Sequence, residues 1–573
     1  MVGKQEIFEI HLQRDGRWLI DSSADSQAEA EDIAKKALNR QGVSGVKVVK
    51  ETTRGSTARE QVLFERTRSS TGSDKIFVAD VNEAPVCDDA EDLYGIGGRQ
   101  VLNRLFRTYL DKNGVTATEV MHEFRELKRL VDADTLVMSG IGKVSTLQAK
   151  LYPDIGDASA RRDALFGFLD ALTERARDAA AKKLPLIRQE GFERAIDKIT
   201  DSADGPDCAF LIRLAVAREL VQERSYFAKL GQTVDWAVPC EAEAGRAVAD
   251  TFISDTLCNP ETLQDLLGAR NSLGSALGAL VSLAQGSLEV ETDGKPDDAP
   301  EAVAGRLVGL FAKGALPDSS VVLVDRVRRQ VAGKQPLSQS GSDEEADALK
   351  ELIDTLMPED TLLGGDGMAE ALTHRQSRIL NRGGTNGLRE ATGRLLPVFG
   401  DPVRKAAYLI DLSRSGLADT IGDEITMQIE GLFLRPDSVK QIVRDDRPPN
   451  KKMQTVTAVY RKFQESEIDA TLKGRIVARL DDLLARYITE DKILDRVDDP
   501  NRPLHVRAFM LLAMCSPDML PEGQASKLAR QIVVKHLRRK NFEDELVAQV
   551  PVAEKERVLR DFHVQLHRCG FMQ

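Results

Sequence analysis

Aromatic side chains are scarce: two Trp, seven Tyr and 19 Phe make up 5% of the 573 residues. The core must therefore be aliphatic, built from Leu, Val, Ile and Ala, which suits helix-on-helix packing better than a β-sandwich. Cysteine is sparse as well. Cys87, Cys208, Cys240, Cys258, Cys515 and Cys569 form no C-x-x-C pair, so free thiols, several of them buried, are expected rather than a disulfide framework. No uncharged apolar run reaches the ~18 residues of a membrane span; Leu273–Leu288 comes nearest and is rich in Gly, Ala and Ser. Met1–Ile10 has no basic segment leading into an apolar one, so no secretory signal is expected and a cytoplasmic location is. Basic residues are outnumbered, 79 Lys plus Arg against 91 Asp plus Glu, and the net charge of −12 argues against general nucleic-acid binding.

Catalytic signatures are missing too. There is no G-x-S-x-G elbow, no recognisable Cys–His arrangement, and no Gly-Glu followed by the phosphate-reading Arg of a cyclic-nucleotide module. The acid pairs Asp423-Glu424, Asp481-Asp482 and Asp498-Asp499 are adjacent in sequence. Helical neighbours point about 100° apart, so adjacency makes no dyad.

What is present divides by period. At roughly 150 residues per domain the length corresponds to about four domains, and the pattern places a small α+β module at 1–85, a helical domain at 90–290 and a second helical domain at 302–573. In the module, Phe8, Ile10 and Leu12 alternate with Glu9, His11 and Gln13. Asp15-Gly16 then offers the two positive-φ residues of a hairpin turn before Trp18–Ile20. Ser26 with Glu29 predicts a capped helix to about Arg40, with Ala30, Ile33, Ala34, Ala37 and Leu38 as its apolar stripe. Val46–Val49 reads as a third strand, completing a ββαβ unit, and Val62–Phe64 and Ile76–Val81 as additional edge strands.

From about Ala90 onward apolar residues recur at i, i+3, i+4 and i+7. Val101, Leu105, Tyr109 and Leu110 mark one helix; Val120, Phe124, Leu127 and Leu130 mark the next, with Thr116 as its cap. The pattern continues to Val558–Leu566, broken at short Gly, Pro and Asp loops where Pro suits a first helical turn. The fold class is therefore mostly α: an α+β module followed by a long multi-helical body, either bundles or a solenoid. Gly387–Asp544 resembles a divergent HEAT-like helical ladder in helix lengths and loop spacing; the likeness is architectural and carries over no functional residue. Glu289–Glu301 and Gly333–Asp347 read as linkers or surface loops.

Five segments bear on chemistry. Gly95-Ile96-Gly97-Gly98-Arg99 opens a helix, where N–H groups can meet an anion, but no strand immediately precedes it; a flexible helix entry is expected. Gly140-Ile141-Gly142-Lys143 lacks the spacing of a phosphate loop. On a helix over Met368–Asn381, Arg375, Arg378 and Arg382 share one face, with glycines before it and Gly383, Gly384 and Gly387 after it. That pattern fits an anion pocket or an Arg stripe for an acidic partner, or else a solvated face closed by Gly caps. His563 and His567 stand at i, i+4 with Cys569 beyond, but the third ligand is poorly placed and no metal site is expected. Lys535, Arg538, Arg539 and Lys540, preceded by Lys527 and Arg530 and accompanied by His536, form a basic helix facing either an anionic partner or Glu543, Asp544 and Glu545.

The expected function is that of a non-enzymatic scaffold or regulatory protein acting through protein–protein contacts of its helical body, without a cofactor. The alternative is a ligand-sensing or enzymatic protein with an anion-binding pocket near Gly364–Arg394.

Overall fold

In a computed structural model the described residues are 5–571, apart from 15–16, 25, 39–44, 55–56, 68–75, 134, 269, 339–340 and 445. The fold is mostly helical with a small N-terminal α+β module. The chain divides into two compact units, Met1–Thr262 and Leu263–Gln573.

The module consists of β1 (Gln5–Arg14), β2 (Arg17–Ala24), α1 (Gln27–Leu38), β3 (Gly45–Arg54) and β4 (Thr57–Thr67). Its strands form one antiparallel sheet in the order β2-β1-β3-β4. The alternation of β1 does what its period requires: Phe8, Ile10 and Leu12 are buried, together with Ala30, Ala34 and Ala37 of α1 and Val46 and Val48 of β3. Ser26 Oγ accepts the Glu29 N–H at 3.3 Å and caps α1. The Asp15-Gly16 turn lies outside the described residues. Val62–Phe64 belongs to the full strand β4, so the unit is ββαββ. Ile76–Val81 forms no strand, contrary to expectation. Its backbone partners come from helices instead: Ala79 N–H donates to Leu105 O at 2.9 Å and Lys143 Nζ to Val78 O at 2.8 Å.

Beyond β4 no strand occurs among the described residues. The first unit continues through α2 (Ile96–Leu105), α3 (Arg107–Asn113), α4 (Ala117–His122), α5 (Phe124–Val131), α6 (Leu136–Leu151), α7 (Ala158–Ala180), α8 (Ile187–Glu190), α9 (Phe192–Thr200), α10 (Gly205–Leu220), α11 (Tyr226–Ala237) and α12 (Glu243–Leu257). Two single helices expected from the period are each broken, at Phe106 and at Glu123, where the backbone leaves helical angles while the apolar spacing runs on.

The division between the units falls in α13 (Pro260–Leu267). The second unit then holds α14 (Leu273–Ala284), α15 (Pro300–Ala312), α16 (Pro317–Ala332), α17 (Ser342–Leu356), α18 (Gly365–Ile379), α19 (Gly384–Phe399), α20 (Pro402–Arg414), α21 (Ala418–Ile429), α22 (Val439–Ile442), α23 (Pro449–Glu465) and α24 (Ala470–Glu490). It closes with α25 (Ile493–Val497), α26 (Leu504–Met514), α27 (Gln524–Leu537), α28 (Phe542–Leu546) and α29 (Lys555–Arg568). Proline occupies the first turn of α15, α16, α20 and α23, where its missing N–H leaves no intrahelical bond unmade.

Packing in the second unit mostly joins helices that are one to three apart in the chain. The helices α16, α18, α20 and α23 touch in succession, as do α17, α19 and α21, while α18 meets α19, α20 meets α21 and α23 meets α24. Contacts continue from α24 to α27, from α27 to α26 and from α26 to α29. Gly333–Asp347 is more ordered than a linker: Leu337 is fully buried, its carbonyl accepts the Gly274 N–H, and α17 begins at Ser342. No single helix among the described residues is long and apolar enough to cross a membrane, and the apolar pair α15 and α16 is bent by 106°.

Candidate functional site

The most elaborate side-chain chemistry lies inside the first unit, around α4. This helix has six residues, too few for its terminal N–H groups to find partners within the helix, so they need acceptors from elsewhere. Thr116 caps it as expected, in a reciprocal box: Thr116 Oγ1 accepts the Glu119 N–H at 3.3 Å and Glu119 Oε2 accepts the Thr116 N–H at 2.6 Å. Asp255 of α12 supplies another acceptor, its Oδ2 taking the Thr118 N–H at 2.8 Å. A carboxylate there also meets the positive end of the helix dipole.

Asp255 is a hub. Its Oδ1 accepts Arg99 Nη1 at 2.8 Å and Asn103 Nδ2 at 3.2 Å. Arg99 also donates to Tyr94 O at 3.2 Å, Thr251 O at 2.9 Å and Ser254 Oγ at 2.8 Å. The Gly95–Arg99 run thus opens a helix, as expected, but serves packing. A Cβ on Gly98 would stand 2.6 Å from Leu93 O, so glycine lets α2 sit tightly enough for Arg99 to reach its acceptors.

A second ion pair is sealed beside the first. Lys229 Nζ lies 2.6 Å from both oxygens of Glu119 and 2.8 Å from Gly114 O, and neither side chain is exposed at all. Burial pushes the Glu119 carboxyl up, opposed by the Lys229 ammonium, and pushes Lys229 down, opposed by Glu119. His122, at the end of α4, is packed against the tilted rings of Tyr94 and Phe210, each 4.8 Å away. Its Nδ1 bonds Thr118 O at 2.8 Å, which assigns the proton of the neutral ring to Nδ1. Its Nε2 has no partner among the described residues. Burial first, then the nearby Arg213, Arg175 and Arg99 charges, push the imidazole pKa down to about 3.

Against this lattice lies an apolar cavity of about 120 Å³, with Leu102, Phe106, Met121, Leu130, Val144 and Leu169 among its lining residues. Left empty, a void of that size costs about 3 kcal/mol at roughly 24 cal/mol per Å³. The polar side chain in its wall, Gln148, has its amide engaged elsewhere. Nε2 donates to Ala84 O at 3.2 Å and Pro85 O at 2.6 Å, and Oε1 accepts Arg161 Nε at 2.7 Å.

The residues singled out from the sequence are placed differently. Arg375 is 2% exposed and turned onto the C-terminus of α16. It donates to Gln330 O at 3.0 Å, Val331 O at 3.0 Å and Gln335 O at 2.7 Å, and pairs with Glu345 at 3.3 Å. Arg378 donates to Val331 O at 3.1 Å and Ala332 O at 2.8 Å. These two side chains satisfy orphan carbonyls at a helix end, which engages the donors an anion needs. Arg382 is not on their helical face, because α18 stops at Ile379; it pairs with Glu390. Gly383 is the N-cap of α19, and Gly384 begins that helix with φ +69°. Gly387, which follows the predicted helix, lies inside α19, where a Cβ would come within 2.0 Å of Arg382 O.

Gly140–Lys143 sits within α6, and Lys143 reaches Asp80 at 2.6 Å. Lys535, Arg538, Arg539 and Lys540 are exposed at the C-terminal end of α27, with Arg539 3.5 Å from Glu545. His536 is instead turned inward, onto Asp498 at 2.9 Å, and Arg530 caps α29 through Cys569 O and Gly570 O. His563 lies 3.2 Å from Glu543, and no group of metal-ligating side chains is assembled among the described residues. Sequence reasoning missed Asp255, Glu119 and Lys229. The one local signal was Thr116-x-x-Glu119, half of which was read. No family model, curated protein or solved structure matches the chain.

Proposed function

We propose that this protein is a non-enzymatic cytoplasmic scaffold or regulator whose second unit, a HEAT-like helical ladder, docks other proteins. The observation that supports this reading is the contact pattern of that unit, in which α16, α18, α20 and α23 pack in one succession and α17, α19 and α21 in another, with α18 on α19 and α20 on α21 between them. Stacks of this kind present long rows of outward side chains to partners. The exposed cluster Lys535, Arg538, Arg539 and Lys540 at one helix end suits an acidic partner surface. Engagement of Arg375 and Arg378 with carbonyls favours this reading over a ligand-sensing or enzymatic one centred on Gly364–Arg394.

The test is affinity capture with the full chain beside a variant carrying Lys535→Glu, Arg538→Glu, Arg539→Glu and Lys540→Glu. The reading expects a saturable protein partner whose capture the variant loses while its helical circular dichroism is kept. Unchanged capture, with nucleotides or phosphorylated metabolites raising the melting temperature of the chain, would shift the assignment to the ligand-sensing alternative.

A further inference from the structure

We propose that the cavity in the first unit is a binding site for an uncharged hydrocarbon group of about six carbons, and not a packing fault. All its lining residues belong to the first unit and the scaffold reading rests on the second, so the proposal stands or falls without that reading.

Three observations carry it. The first is size and chemistry. The cavity measures about 120 Å³, somewhat below an engineered protein cavity of roughly 150 Å³ that stays dry and takes up benzene. Water needs two to four polar partners in such a space. Gln148 offers at most one, the second lone pair of an Oε1 already held by Arg161, since both its Nε2 protons go to Ala84 O and Pro85 O.

The second is that the walls are fixed from outside. Asp255 ties α2 to the N-terminus of α4 through Arg99, Asn103 and the Thr118 N–H. Gln148 and Arg161 tie α6 to α7 and to the 84–87 segment, Arg161 Nη2 donating to Cys87 O at 2.8 Å. Gly140 brings α6 so close to Phe106 that a Cβ there would lie 2.7 Å from the ring. The helices are therefore in tight contact where they touch, and a polar frame keeps them from collapsing into the space between. A site held open in advance loses little order when its guest enters.

The third is access. Val131, 37% exposed, and the half-buried Val137 and Ile141 line the cavity where it approaches the surface, so an apolar group can enter past α5 and the start of α6. The same chemistry could arrive as a small free hydrocarbon or as the end of an acyl chain whose polar head stays outside.

The experiment uses the full chain, with toluene and dodecanoate as probes. Tryptophan fluorescence during melting follows the first unit, because Trp18 and Trp236 both belong to it. Toluene raising the transition identifies a free hydrocarbon as the guest; dodecanoate alone raising it identifies an acyl chain end. In either case Val144→Phe, which fills the space, should weaken the probe about tenfold or more, and Val144→Ile should weaken it less. Should Val144→Phe not fold, xenon under pressure on the native chain gives the direct reading, one ordered atom or one shifted ¹²⁹Xe resonance from the cavity. Neither probe shifting the transition and no xenon taken up would overturn the proposal, as would toluene binding that Val144→Phe leaves unchanged.

Discussion

Replacing Lys229 by Met removes one member of an ion pair whose two side chains are wholly buried. The carboxylate of Glu119 then keeps only Thr116, whose N–H lies at 2.6 Å, and the Gly114 carbonyl loses the ammonium that sat 2.8 Å away. Breaking a buried pair from one side costs about 3–5 kcal/mol, because the remaining charge has neither water nor a counter-ion. A domain of this size is stable by only about 5–15 kcal/mol, so the loss is a large fraction of the whole. Replacing both partners, as Glu119→Gln with Lys229→Met, removes the stranded charge and should restore most of the stability. The pH dependence has a definite sign. In the single variant burial raises the folded pKa of Glu119 above its unfolded value near 4.3, so the neutral acid is favoured in the fold. The deficit against the native chain is therefore largest at neutral pH and shrinks as pH falls toward 4. Urea unfolding followed by tryptophan fluorescence reports the first unit alone and checks this directly. A single-variant loss under about 1 kcal/mol, or a double variant no better than the single, would refute the account of a sealed pair.

His122 should make the first unit acid-sensitive. Its folded pKa of about 3 lies below the unfolded value of 6.5, so the unfolded chain takes the proton first and stability falls as pH drops below 6.5. By pH 5 the loss amounts to about 2 kcal/mol, and His122→Leu should remove that dependence from the urea midpoint between pH 7.5 and 5. Arg375→Met should destabilise the second unit by about 2–4 kcal/mol by removing the larger of the two arginine caps of α16, Arg378 remaining, and by leaving Glu345 without its ion-pair partner; hydrogen exchange of the α16 and α17 amides would show the loss. Gly387→Ala should cost more than about 2 kcal/mol, since its methyl would collide with Arg382 O. Gly474→Ala, with open space around its Cβ inside α24, should instead gain about 0.5–1 kcal/mol, and thermal melts by circular dichroism would rank the two.

The helices were legible because their signal is local. Val101 and Leu105, or Val403 and Leu412, are buried for the reason their spacing implies, and Thr116 and Ser26 cap the helices they precede. The breaks at Phe106 and Glu123 were not legible, because apolar spacing continues through them and only contacts distant in sequence favour the bend. Nor was the arginine stripe. Arg375 and Arg378 lie on one face as read, but a guanidinium on a helix gives the same sequence signal whether it meets water, an anion or the carbonyl end of another helix. Here that end is Val331–Ala332, more than 40 residues earlier.

Composition and period by themselves determined that this chain is mostly helical after a small sheet, with an aliphatic core, because burying an apolar stripe needs only the correct spacing along the chain. Tertiary structure alone decided which charges are enclosed. Asp255 meets Arg99, and Glu119 meets Lys229, across more than 100 residues, and whether such side chains face one another or water depends on where distant helices lie, which no local pattern encodes.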